Sequence, residues 1–124
     1  MNTDSTGQRG LRAVIEYEAR QTPKRVAERV HKCGYDLVSK GGGEERHIEV
    51  KATTKSRFTF RWLERLEYDQ LQKDKRFYLY LVTDVSTKPR VFEYDRAKVM
   101  SRFAEEICHY VFVFPKDDFT KKTA

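Results

Sequence analysis

The sequence predicts an α/β domain built on a mixed β-sheet flanked by helices. Three observations carry that prediction. Apolar residues recur at helical spacing near both ends: Leu11, Val14 and Ile15 in one stretch, Met100, Phe103, Ala104 and Ile107 in the other. The run "FYLYLV" at 77–82 is continuously apolar, the pattern of a central strand covered on both faces. Other strand-like runs interleave with helical ones along the chain, which argues for one mixed sheet.

The elements follow in order. Residues 1–7 read as a loose start and 116–124 as a polar tail, with one domain over 1–124. A helix is expected over Gln8 to Arg20, its apolar stripe set by Leu11, Val14 and Ile15. Thr22-Pro23 reads as a cap and a first-turn proline that open a short helix or a loop toward His31. Residues 35–39 and 46–52 read as strands joined by a glycine turn. In "SRFTFRW", Phe58, Phe60 and Trp62 alternate with Arg57, Thr59 and Arg61, so the aromatics read as core. A helix over Leu63–Lys73, the strand 77–82 and a strand at 90–94 come next. Asp95 is placed to cap a helix running to Ile107, and "HYVFVF" at 109–114 is the last strand.

Composition narrows the function. Of 124 residues 35% are charged, with both signs intermixed, as in a solvated globular surface. The formal net charge of +6 attracts polyanions, nucleic acid above all, although mildly basic proteins of other kinds exist. Cys33 and Cys108 form no CxxC pair and read as reduced thiols, not a zinc site. No run is apolar enough to span a bilayer and the first ten residues lack a signal-peptide core, so an intracellular, cytoplasmic protein with no membrane partner is expected.

The stretch "GYDLVSKGGGEERHIEVK" carries the chemistry. If Lys40–Glu45 form the connection, Ser39 faces Arg46, Leu37 faces Ile48 and Tyr35 faces Val50, which puts apolar pairs on one face. The other face then sets Val38 against His47 and Asp36 against Glu49, with Lys51 next along the strand. Directly opposed like charges are destabilising. Two carboxylates beside an ammonium strain a bare protein, but suit one that binds a hard divalent cation between them. Lys51 would then orient or help deprotonate an attacking water, or stabilise charge developing on phosphorus. An exposed strand face with alternating charge is the bland alternative. Glu18 adds weight to the first reading. It falls in the middle of the apolar stripe of the first helix, whereas Glu16 falls roughly 140° from Leu11. An inward carboxylate is costly unless a positive group meets it, and Lys51 or a metal would do so.

An inward Glu on the first helix, then Asp, then Glu-x-Lys on a strand, resembles the PD-(D/E)XK nuclease superfamily. The longer pattern of "VIEYEARQTP", "GYDLVSKGGGEERHIEVKATT" and "FYLYLV" resembles its NO VEIN-type domain over about residues 10–94. Such domains are often appended to larger proteins such as helicases. The resemblance implies a restriction-endonuclease-like core and Mg²⁺- or Mn²⁺-dependent hydrolysis of phosphodiester bonds. It implies that Asp36 and Glu49 ligate the metal with the Val50 carbonyl, and that Lys51 handles the nucleophile. Glu18 would stand behind these ligands or on a second ion, and an acidic residue of the next helix falls on Glu67.

Around this centre, Lys55, Arg57 and Arg61 follow the catalytic strand and could contact phosphates. Arg20, Lys24, Arg25, Arg29 and Lys32 form a second basic cluster, either a phosphate surface or a solvated face. Gly41–Gly43 lack the Gly-Lys-Ser/Thr ending of a phosphate loop and read as a hairpin turn. The sequence thus supports a metal-dependent endonuclease acting on nucleic acid, DNA in the first instance. Stand-alone basic members of the superfamily, such as junction resolvases, are homodimers, which makes a dimer an expectation, and a helicase or a repair or defence protein a candidate partner. The alternatives are a nuclease-like module that binds nucleic acid without cutting it, and an interaction domain that binds none.

Overall fold

In a computed structural model of the protein, residues 5–31, 34–57, 60–63, 65–101, 103–105 and 110–113 are described, those at 60–63, 65–66, 103–105 and 110–113 by their backbone alone. Helix α1 spans Thr6–Ala19 and starts one turn earlier than the apolar stripe requires, because the Ser5 hydroxyl accepts a hydrogen bond from the Gln8 N–H at 3.1 Å. The chain then continues as β1 (Val26–Arg29), β2 (Leu37–Gly41), β3 (Glu44–Ala52), β4 (Phe60–Leu63), α2 (Arg65–Lys73), β5 (Phe77–Thr83), β6 (Arg90–Asp95), α3 (Arg96–Ser101), β7 (Phe103–Glu105) and β8 (Tyr110–Val113).

The main sheet has the order β1-β2-β3-β5-β6. Only β3 and β5 run parallel; the other pairs are antiparallel. The β2–β3 hairpin has the register expected from its apolar pairs: Leu37 faces Ile48, Val38 faces His47 and Ser39 faces Arg46. Pairing continues closer to the turn than expected, through Lys40–Glu45 and Gly41–Glu44. Gly42 and Gly43 close the hairpin with φ of 61° and 77°, a left-handed pair open to glycine at little cost.

Side-chain alternation gives the sheet two differently covered faces. Leu37, Ile48, Tyr80 and Val82 pack with Ala13 and Val14 of α1. Phe77, Leu79 and Leu81 pack with Leu71 of α2 and Val99 of α3. Gly10 is the point of closest approach of α1, since a Cβ there would stand 2.6 Å from the Ala52 Cβ. β5 lies between β3 and β6 and is buried on both faces, as its unbroken apolar run predicts.

The structure differs from expectation in three places. The segment after Thr22-Pro23 is strand β1, an edge strand paired with β2, and not a helix or loop. Ala27 is its buried contact, and one small residue leaves almost no periodic signal in the sequence. The helix expected to reach Ile107 stops at Ser101, and Phe103–Glu105 pair with β8 instead. The third difference is that β4, β7 and β8 form a separate three-stranded sheet, order β4-β8-β7, and do not extend the main one. Asp95 acts as expected, its Oδ1 accepting from the Lys98 N–H at 2.9 Å. Phe58, Cys33, Ile107, Cys108, His109 and the tail at 116–124 lie outside the described residues, as do the side chains of Phe60 and Trp62. Among the described residues no helix is long and apolar enough to cross a membrane.

Candidate active site

The hairpin register places Asp36 and Glu49 on the sheet face turned toward α2, because their neighbours Leu37 and Ile48 face α1. Asp36 lies one residue before β2, yet its backbone N–H still reaches the Ile48 carbonyl at 2.8 Å. Its Oδ2 accepts from the Val50 N–H at 2.9 Å, which fixes the carboxylate over β3. Val50 thus joins the site through its N–H, and its side chain faces α1. Glu49 is buried, and Lys51 extends along the same face with Nζ 3.2 Å from Glu49 Oε2. Glu67, in the first turn of α2, brings Oε1 to 3.0 Å from the same ammonium.

Three acids therefore share one ammonium. Burial, then the charges of Asp36 and Glu67, push the Glu49 carboxyl up to about 10, which favours its protonated form against the pull of Lys51. Asp36 is raised as well, by burial first, although the Val50 N–H works against the shift. Burial opposes the charge on Lys51, but Glu49 and Glu67 outweigh it and hold the ammonium above its usual range. Among the described residues, no three Asp, Glu, His or Cys side chains stand together as a ready-made cage for an ion. Lys51 engages Glu67 Oε1 and Glu49 Oε2, and Asp36 Oδ2 takes the Val50 N–H, so Asp36 and Glu49 would each offer a cation the carboxylate oxygen that these contacts do not use. Two hard carboxylates fit magnesium, which keeps several waters and commonly takes only one or two protein carboxylates.

Glu18 is not part of this cluster. It points into the core as the helical wheel requires, but α1 covers the opposite face of the sheet. Its positive partner is Arg25, whose Nε and Nη2 lie 2.6 and 2.9 Å from the two carboxylate oxygens. The Ser39 and Tyr80 hydroxyls donate to it at 2.7 and 2.8 Å. Burial alone would raise Glu18, but these hydrogen bonds overcome it and hold the carboxyl below its ordinary value. Every acceptor position is satisfied, and the assignment of Glu18 to the metal centre is withdrawn. Arg25 leaves the expected basic surface cluster by the same observation.

Lys55 and Arg57 are exposed in the loop that leaves β3 just past Lys51. Arg61 lies on β4 opposite Phe112, and its side chain is outside the described part. Sequence reasoning missed His47. Its Nδ1 lies 2.5 Å from Asp74 Oδ2, its Nε2 lies 2.7 Å from Glu45 Oε2, and its ring stacks on Tyr35 at 4.6 Å. Only part of the signal was there: His47 is two residues before Glu49 on a strand, hence on the same face, but the expected pairing of Tyr35 with Val50 is not formed, because Tyr35 lies before β2 and its ring stacks on His47 instead. The stack buttresses the segment that presents Asp36.

The family model described as "Protein NO VEIN, C-terminal" matches residues 6–94, which contain Asp36, Glu49, Lys51 and Glu67. No curated relative matches the sequence. Among solved structures, the chain is similar to Hjc, a Holliday junction resolvase of the archaeal hyperthermophile Archaeoglobus fulgidus. The TM-score is 0.62 at 19% identity, covering 94% of this chain and 89% of that one. The main sheet with its flanking helices is thus a restriction-endonuclease-like fold. The matched span covers most of the chain and all of the acid cluster, and the protein belongs to the NO VEIN C-terminal family.

Proposed function

We propose that the protein is a Mg²⁺- or Mn²⁺-dependent nuclease that hydrolyses phosphodiester bonds in DNA. The observation that carries this reading is the convergence of Asp36, Glu49, Lys51 and Glu67 on one sheet face, with more buried acid than base. A divalent cation at Asp36 and Glu49 would supply a Lewis acid for the scissile phosphate and lower the pKa of a water nucleophile. The chain's own groups do the rest. Holding such a cation would favour the ionised form of Glu49, its proton passing to solvent. Asp36 is held in place by the Val50 N–H and needs no reorientation. Lys51, kept charged and extended by Glu67, donates to a phosphoryl oxygen or orients the water. Lys55 and Arg57 hold the flanking phosphates.

The likeness to a junction resolvase suggests branched DNA as the substrate, and a homodimer as the form that would cut two strands; a helicase or a repair or defence protein in the cytoplasm is a fitting partner. The test is incubation of plasmid and four-way-junction DNA with Mg²⁺ or Mn²⁺, wild type against Lys51→Ala. Cutting by the wild type alone is expected. Binding of DNA by both proteins with cutting by neither would overturn the reading in favour of a binding module.

A further inference from the structure

A second feature lies on the other face of the sheet. α1 crosses β3 and leaves the edge strand β6 partly uncovered, which opens a groove of about 390 Å³ between the helix and the turn after β5. Arg9, Arg12 and Arg20 line its helical wall. Arg9 and Arg12 are one turn apart on α1 and Arg20 caps its C-terminus, so the three span roughly 16 Å at 1.5 Å per residue. Val85, Pro89 and Val91 line the other wall. Arg9 Nη1 donates to the Ser86 hydroxyl at 3.1 Å, which ties helix to turn. Glu16 is the single acid among the lining residues.

We propose that this groove binds a phosphodiester backbone, giving the protein a second nucleic-acid subsite across the sheet from Asp36 and Glu49. The inference rests on the nucleic-acid reading above and deepens it. Three residues of the lining are guanidinium groups and none is an amine; the planar fork matches phosphate in a bidentate way that lysine cannot. The stripe is long enough to meet two or three successive phosphates of one strand, about one for each guanidinium. No aromatic residue lines the groove, so it offers backbone contacts without base stacking. Continuity favours nucleic acid over an acidic peptide. Gly10 seats this half of α1 on Val50 and Ala52, at the strand end where Lys51 and the Lys55 loop emerge. The Asp84 N–H bonds the Lys55 carbonyl at 2.9 Å, joining that loop to the turn that carries Ser86. Basic groups therefore run round the rim of the sheet from the acid cluster into the groove. One long polyanion would follow that path; a short peptide would not need it.

The experiment measures binding of a long fluorescent duplex, of a four-way junction and of polyglutamate in EDTA over a salt series, with metal-dependent cutting assayed in parallel. It compares wild type, the triple variant Arg9→Ala/Arg12→Ala/Arg20→Ala, and Glu16→Gln. The expected result for the triple variant is affinity weaker by about tenfold or more and a log–log salt slope shallower by about 2–3, at roughly 0.9 per phosphate released. Glu16→Gln, which introduces no packing change, is expected to bind tighter. Unchanged affinity and slope in both variants, with metal-dependent cutting retained, overturns the groove and leaves the nuclease reading standing. Loss of polyglutamate binding in the triple variant while DNA binding stays at wild-type strength also overturns it, and assigns the groove to an acidic protein. Absence of metal-dependent cutting by the wild type, with the slope change present, removes the nuclease reading and keeps the groove.

Discussion

Glu49→Gln should stabilise the metal-free protein. In the folded state burial and two acidic neighbours push Glu49 up to about 10, while an unfolded chain ionises it near 4.5. A raised carboxyl means that the folded state holds a proton the unfolded state has released. Stability therefore falls as pH rises from 4.5 toward 10. At neutral pH about two and a half of those units have been crossed, each worth about 1.4 kcal/mol, so the penalty is on the order of 3 kcal/mol. Glutamine has the shape of the protonated acid and no proton to lose. It should recover most of that penalty, raising the melting temperature by about 10 °C for a chain of this size. The assay is thermal unfolding in EDTA between pH 5 and 9, followed by the same series in Mg²⁺. Wild type should lose stability toward high pH and regain it with metal, because ligand binding to the folded state adds to stability. The variant should be flat with pH and indifferent to metal. A variant less stable than wild type in EDTA, or a wild type whose stability does not change with pH, would refute the crowded-acid account.

Four further outcomes follow from the same contacts. Glu67→Gln should slow cleavage by about 10–100-fold, as loss of a supporting contact usually does, while DNA binding in EDTA stays unchanged; single-turnover kinetics separate the two. Glu18→Gln should cost about 3 kcal/mol in urea unfolding, because the buried Arg25 loses its bidentate partner and keeps only Glu93 at 3.9 Å, yet Mg²⁺ should stabilise the variant as much as it does wild type. Glu18 is held below its ordinary value of 4.5, so its contribution is present above that pH and fades as pH falls through the folded value; acid unfolding should be less steep in Glu18→Gln. Gly41→Ala should cost about 2 kcal/mol or more in the same unfolding assay, since the added Cβ would stand 2.2 Å from the Lys24 carbonyl and 2.8 Å from the Arg25 Cα, both backbone atoms.

The hairpin was legible in the sequence because a one-residue slip would turn Leu37 and Ile48 to the wrong face. That single register also set Asp36 beside Glu49 and Lys51, so most of the site followed from it. The inward direction of Glu18 was legible too, from the phase of its helix; its partner was not. Arg25 follows a proline in a stretch of Arg and Lys that has every mark of a solvated surface, and only the pairing of β1 with β2 turns it inward. Strand β1 itself has four residues and one buried side chain, too little for any periodicity to report. Of the groove's arginines only Arg20 stood out in the sequence, as part of a basic cluster; Arg9 and Arg12 gave no signal, because a stripe becomes a groove only when a second wall, here Val85 to Val91, is folded against it.

The two buried glutamates make the physical distinction on which the functional reading turns. Glu18 lies on α1 over one face of the sheet and Glu49 on β3 facing the other, and each is buried beside a cationic side chain, Arg25 or Lys51. Glu18 has a bidentate guanidinium and two hydroxyl donors, so its negative charge is more than compensated and its carboxyl is lowered. Glu49 has one shared ammonium and two competing acids, so its charge is undercompensated and its carboxyl is raised. Folding alone explains the first arrangement, which is complete as it stands. It does not explain the second, which would be more stable with one acid fewer. A cluster that opposes folding in the bare protein, and that a dication would turn into a favourable one, is what a metal-dependent site requires; the closed ion pair around Glu18 offers a cation nothing to bind.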